Sequence, residues 1–220
     1  MWVKINPKGL RWLIWGLFIL LLITIGLAWG FYPEKYDFFR EPVSSLGGLV
    51  SHDESTPNFP SYVIFSSGFV LMGVMAIIVS LVYFTNIKRF KFAILKGLLL
   101  FIMGLGAAFT AIPWDFKVIL HGIGAFLFIA SLAVINFVFQ LLRYIKRHVP
   151  KPTDVKRAWD YYFDLTFVIL LFAGGAFYFV VQGLVWVGAS IIFISTAIAQ
   201  KIVFFAALIT IFLLDVDDIK

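Results

Sequence analysis

AIPWDFKVILHGIG, residues 111–124, is the point where two long apolar runs meet across a very short polar turn. About 20 apolar residues in a helix cover a hydrocarbon core about 30 Å thick, so two such runs joined this tightly read as a membrane hairpin. The turn carries Asp115 and Lys117, and His121 follows a little over one helical turn into the next run. Acidic, basic and titratable groups this close to a membrane boundary are costly unless paired or wetted, which marks them as the first candidates for a site.

Composition extends that reading to the whole chain. Of 220 residues 62% are hydrophobic and 14% charged, with 26 Phe. Soluble domains run at about 45–50% apolar and about 25% charged. The chain has no Cys, which removes disulfides, thiolate nucleophiles and Cys-ligated metals from consideration. The net charge of +6 does not point to nucleic acid, because the basic residues cluster in short segments between apolar runs, where they encode orientation.

Outward from the hairpin, the expected spans are residues 10–32, 61–84, 93–112, 116–142 and 161–182. A basic amino end before the first run resembles a signal peptide, but the run is too long and lacks a small-residue cleavage site, so a retained helix is expected. The apolar stretch 184–214 would rise about 46 Å as one helix, well over the core thickness. Gln200 and Lys201 divide it, which leaves either one long tilted helix or an interfacial segment 184–199 followed by a shorter sixth span, 200–214. The second keeps Lys201 near an interface, away from mid-bilayer, where a charge costs about 2.5–3.5 kcal/mol or more. Gly68 and Gly73 in the second span and Gly97, Gly104 and Gly106 in the third are small positions suited to close helix packing.

The one long hydrophilic connection, residues 33–60, holds four Pro and the Gly47–Gly48 pair, too much punctuation for a continuous helix. Phe38, Phe39, Val43, Leu46 and Leu49 give it enough apolar surface to fold back on the helix ends as a cap. Lys and Arg concentrate in the amino end and the second and fourth connections, whereas the odd-numbered connections hold only Lys35, Arg40, Lys117 and, at that interface, Lys201. The positive-inside rule then puts both termini in the cytoplasm and the cap outside.

The polar residues expected on the outer face include Arg40, Glu41, Ser44, Ser45, Asn58, Asp115, His121, Gln200 and Lys201, with His52 and Lys117. They fit a site that binds a polar head group while a tail lies among the spans. Ser44 or Ser45 with His121 and Asp115 also has the residue types of nucleophilic catalysis, in which an imidazole takes the hydroxyl proton and a carboxylate orients it. No nucleophile-elbow pattern surrounds either serine. The structural alternative is that Asp115 and His121 hydrogen-bond the cap and the helix ends. A metal site is poorly supplied, with three His in the chain and no Cys, and no cofactor is implied. Asn136, Gln140 and Asp164 read as interhelical hydrogen-bonders in the opposite half, where a transporter would want several polar groups at mid-depth.

EPVSSLGG at 41–48, Asn58 leading into the second span, AIPWD at 111–115, His121, and Gln200-Lys201-Ile202 together resemble the domain-of-unknown-function family numbered 998, and in outline the wider Frag/DRAM/Sfk group of six-span proteins. The resemblance implies six helices with an outer polar cluster and no assigned activity, and the wider group favours lipid as ligand class. The His-x-x-x-His pair of alkaline-ceramidase-like hydrolases is missing from the sequence.

The expectation is therefore an all-α, polytopic membrane helix bundle of six transmembrane helices in the cell membrane, one domain over residues 1–220, with a folded extracytoplasmic loop 33–60. Its expected function is binding of a lipid or other amphiphile, or service as an accessory subunit, through Arg40, Glu41, Ser45, Asn58, Asp115, His121, Gln200 and Lys201. The alternative is a lipid hydrolase or transferase built on Ser44, Asp115 and His121. Membrane lipids and other membrane-protein subunits are the expected partners, and nucleic acid is not.

Overall fold

The computed structural model describes residues 7–52, 54, 56–148, 155–188 and 193–212. Lys4, Pro150, Pro152 and the acidic tail Asp215, Asp217 and Asp218 lie outside them. The elements in order are α1 (Pro7–Gly30), a short 3₁₀ helix (Val43–Gly47), α2 (Phe59–Thr85), α3 (Ala93–Thr110), α4 (Val118–His148), α5 (Val155–Trp186) and α6 (Phe193–Phe212). The described residues contain no strand, only an isolated bridge between Val50 and Pro57. Gly9–Gly30, Phe59–Thr85, Ala93–Thr110, Val118–Ile145 and Asp160–Trp186 are each long and apolar enough to cross a membrane, and Thr196–Thr210 of α6 is a shorter apolar stretch. The chain is a multi-pass helical membrane bundle.

The helices stop where the sequence withdraws backbone support. Pro33 follows α1, Pro60 sits in the first turn of α2, and Phe92 turns the chain at φ +52° just before α3. Gly188, at φ +83°, ends the chain's run out of α5. The break in the last apolar stretch thus falls after Trp186 and not at Gln200-Lys201. Residues 184–186 complete α5 and 193–199 open α6, so Lys201 lies about 12 Å along α6 from its first residue.

Packing is closest along α2–α3–α4, with α1 against α2, and α5 and α6 against α4. Glycine permits the approach. A Cβ on Gly73 would lie 2.8 Å from the Gly104 carbonyl oxygen, and one on Gly104 2.9 Å from that of Gly73. One on Gly124 would meet Phe109 and the Thr110 nitrogen at 2.5 Å. Backbones this close gain dispersion contacts, which drive helix association where no water is left to exclude. Phe65, Phe69, Phe128 and Phe204 then run ring to ring across α2, α4 and α6 at 4.3, 5.3 and 6.0 Å.

In the half away from the cap, Gln140 donates to the Thr210 carbonyl (3.0 Å), and the Thr210 hydroxyl reaches Asn136 Oδ1 (3.2 Å). Arg143 pairs with buried Asp164 across α4 and α5 at 3.4 Å. These groups bind helix to helix, as expected for Asn136, Gln140 and Asp164.

Candidate functional site

The cap closes one end of the bundle, and its backbone is held by side chains from two directions. From α2, Asn58 Nδ2 donates to the carbonyls of Leu46 (3.2 Å) and Gly48 (3.0 Å), and Ser61 Oγ donates to that of Leu46 (2.8 Å). Asn58 is fully buried and its Oδ1 has no hydrogen-bond partner. From the α3–α4 turn, Asp115 Oδ2 accepts the amides of Leu49 (2.8 Å) and Val50 (3.0 Å). The Gly47–Gly48 pair lies flat because a Cβ on Gly47 would strike the Phe65 ring and one on Gly48 the Trp114 indole.

The same turn caps α3. Ser66 Oγ donates to the Ala111 carbonyl (2.7 Å), and His121 Nδ1 donates to that of Ile112 (2.6 Å). A helix end leaves its last carbonyls without intrahelical partners, and these two donors supply them. With Nδ1 carrying the proton, Nε2 is the neutral acceptor, and it is buried with no hydrogen-bond partner. A Ser–His–Asp relay requires Nε2 on a hydroxyl and Nδ1–H on a carboxylate. Here Nδ1 faces a carbonyl, Asp115 is spent on cap amides, and Ser44 is half-buried in the 3₁₀ helix with no bond to His121. Asp115 and His121 bond to the backbone of the cap and of the α3–α4 turn.

At the other end of the cap the polar groups converge on Lys201. Its Nζ donates to the Glu41 carbonyl and lies 5.3 Å from the Tyr36 ring centre and 4.8 Å from that of Phe38. It is 5% exposed. The Glu41 carboxylate is turned elsewhere: Oε1 accepts the Asp37 amide (2.8 Å) and Oε2 the Tyr32 hydroxyl (3.4 Å). Tyr36 donates to the Glu41 carbonyl (2.9 Å), and the Tyr32 oxygen accepts the His52 amide (2.8 Å). Burial, reinforced by the nearby Glu41 charge, pushes the Tyr32 phenol up to about 12 and raises that of Tyr36 further. Both are neutral donors at any physiological pH.

The expected polar set is thus divided between two stations. Asn58, Asp115 and His121 fasten the middle of the cap, whereas Glu41 meets Lys201 at its start. Ser45 and Gln200 are buried nearby, and Arg40 points outward, 3.8 Å from Asp37. A pocket lies between α1, α6 and the cap. It is a cavity of about 210 Å³ with Tyr36, Val43, Leu46 and the Lys201 stem around its closed end. It opens sideways where Leu22, Gly26, Trp29 and Phe205 are exposed, because α1 and α6 barely touch. Tyr32, Tyr36 and Trp29 were absent from the sequence-based set. The signal that could have found them is the aromatic density of 29–39, at the start of the long loop 33–60.

No protein-family model, curated protein or solved structure matches this chain. Function must therefore be read from the site itself.

Proposed function

We propose that this protein binds the alkyl chain of a membrane lipid or other amphiphile in the cleft between α1, α6 and the cap, and that it does so without catalysing a reaction. The observation that carries this function is the cavity of about 210 Å³, apolar along its length, open toward the surrounding membrane and closed by a folded loop. An unfilled apolar gap loses dispersion contacts on every side, and in a bilayer the molecules at hand to fill it are acyl chains. The distribution of Lys and Arg supports an orientation with the cap outside and both termini in the cytoplasm. Asp115 and His121 in this account keep the cap rigid over the cleft and do not touch the ligand.

Native mass spectrometry of the protein released gently from its own membrane tests this. Gly26 lines the cleft and has no atom within 4 Å of where its Cβ would be. Gly26→Leu therefore adds bulk at the cleft wall from a Cβ that meets no neighbour. A lipid retained by the wild type at fixed stoichiometry and lost from Gly26→Leu is the expected result. Retention unaltered by Gly26→Leu, or fixed protein partners with no lipid, would refute binding in this cleft, the latter favouring an accessory-subunit role.

A further inference from the structure

We propose that the ligand of this cleft carries one alkyl chain and an oxyanion head, and that Lys201 holds the head. The inference rests on the amphiphile-binding function above. It follows from two mismatches at the closed end of the cleft.

The first is the unfinished coordination of a buried cation. An ammonium has three N–H donors. On Lys201 one is placed on an oxygen, the Glu41 carbonyl, and the remaining neighbours given by the structure are the faces of Tyr36 and Phe38. No carboxylate among the described residues forms a salt bridge with it. The Glu41 carboxylate is near in space, but its two oxygens are engaged by the Tyr32 hydroxyl and the Asp37 amide, so it supplies a compensating field and no salt bridge. Ring faces are a weaker partner for an ammonium than a charged hydrogen-bond acceptor. A head-group oxygen reaching the ammonium from the cleft, which Lys201 and Phe38 both line, would replace a ring face with a charged acceptor.

The second mismatch is size. Pockets that enclose drug-sized ligands run at about 300–1,000 Å³. At about 210 Å³ the cleft falls short of that range, so it holds one chain and leaves no room for a second. Both free long-chain carboxylates and single-chain phospholipids offer an oxyanion on one chain.

The experiment is a native mass spectrometry titration of the full-length protein in detergent with four probes: oleate, oleoyl lysophosphatidate, oleyl alcohol and dioleoyl phosphatidate. Oleate and the lysophosphatidate are expected to bind at least tenfold more tightly than oleyl alcohol, which has the same chain and no charge. The tighter of the two names the head group. In Lys201→Gln, which can keep the bond to the Glu41 carbonyl, the preference should vanish while alcohol binding stays. In Gly26→Leu all binding should fall. Equal affinity for oleate and oleyl alcohol in the wild type overturns the assignment of the head to Lys201, a comparison that needs no variant and leaves alkyl-chain binding intact. Dioleoyl phosphatidate binding as tightly as the single-chain probes overturns the one-chain limit. If no probe binds, or Gly26→Leu changes nothing, the amphiphile-binding function itself falls.

Discussion

Asn58 offers the sharpest test of how the cap is held. It is fully buried and uses both amide hydrogens on cap carbonyls, those of Leu46 and Gly48. Asn58→Ala removes both donors. Leu46 keeps Ser61, so one carbonyl loses its side-chain donor and another is half-satisfied. A net hydrogen bond contributes about 1 kcal/mol, and a buried group left unsatisfied costs about 1–3 kcal/mol. Against this, the variant also deletes Oδ1, which has no partner in the folded protein. The expected loss is about 2 kcal/mol, roughly a 30-fold shift in the unfolding constant. Asn58→Asp has almost the same shape but turns a carboxylate toward two carbonyls. Burial and repulsion both disfavour the charged form, so the folded-state pKa of the introduced acid rises above its unfolded value of about 3.9. Its stability is then greatest at low pH, where the neutral acid donates one hydrogen bond, and is lost as pH rises through the folded-state value. At neutral pH Asn58→Asp should be the more damaging change, by about 1 kcal/mol or more. Unfolding in mixed micelles, followed by Trp fluorescence at pH 5 and pH 7.5, measures both. An aspartate variant as stable as the alanine variant at pH 7.5, or one indifferent to pH, would refute the role assigned to the amide hydrogens.

Asp115→Ala should free the amides of Leu49 and Val50 and expose residues 47–57 to protease, at a stability cost of only about 1 kcal/mol because Asp115 is exposed and water can replace it. Limited proteolysis with mass mapping checks this. Gly124→Leu should force α3 and α4 apart, since a Cβ there already meets Phe109 and Thr110 at 2.5 Å. Its expected cost of about 3 kcal/mol or more is read by the same micelle unfolding. The buried phenols of Tyr32 and Tyr36 favour their neutral form in the folded protein, so their contribution is complete below about pH 10 and lost as pH climbs toward 12. Ultraviolet difference titration should therefore show Tyr32 and Tyr36, among the eight tyrosines, ionising only together with unfolding.

The bundle was legible because a bilayer requires long apolar runs and gives the short connections little to do but turn. Positions 73, 104 and 106 could be read as close-packing sites for the same reason, whereas the tight contact at Gly124 emerged only in the structure. The folded cap was also legible, from apolar residues scattered through a loop that Pro and Gly prevent from being helical. That Asp115 and His121 bond to the cap and a helix end was among the readings the sequence allowed, and the structure shows it. The particular partners were not legible, because a backbone carbonyl at Leu46 or Ile112 leaves no mark in a sequence. Lys201 was placed at an interface by the cost of burying a charge. In the structure its ammonium meets the cap, bonded to the Glu41 carbonyl and set against two aromatic rings. The cleft itself was invisible, because it exists where α1 and α6 fail to pack.

Photo-crosslinking with an oleate analogue carrying a terminal diazirine, in native membranes, tests the central claim most directly. A second apolar groove of about 300 Å³ between α4 and α5, lined by Ala133, Phe137, Phe172 and Phe179, serves as the internal competitor. Label on α1 and α6 around Leu22 and Phe205, and its loss in Gly26→Leu, is the predicted result. Label concentrated at Phe137 and Phe172, or spread evenly over the outer faces of the bundle, would contradict it.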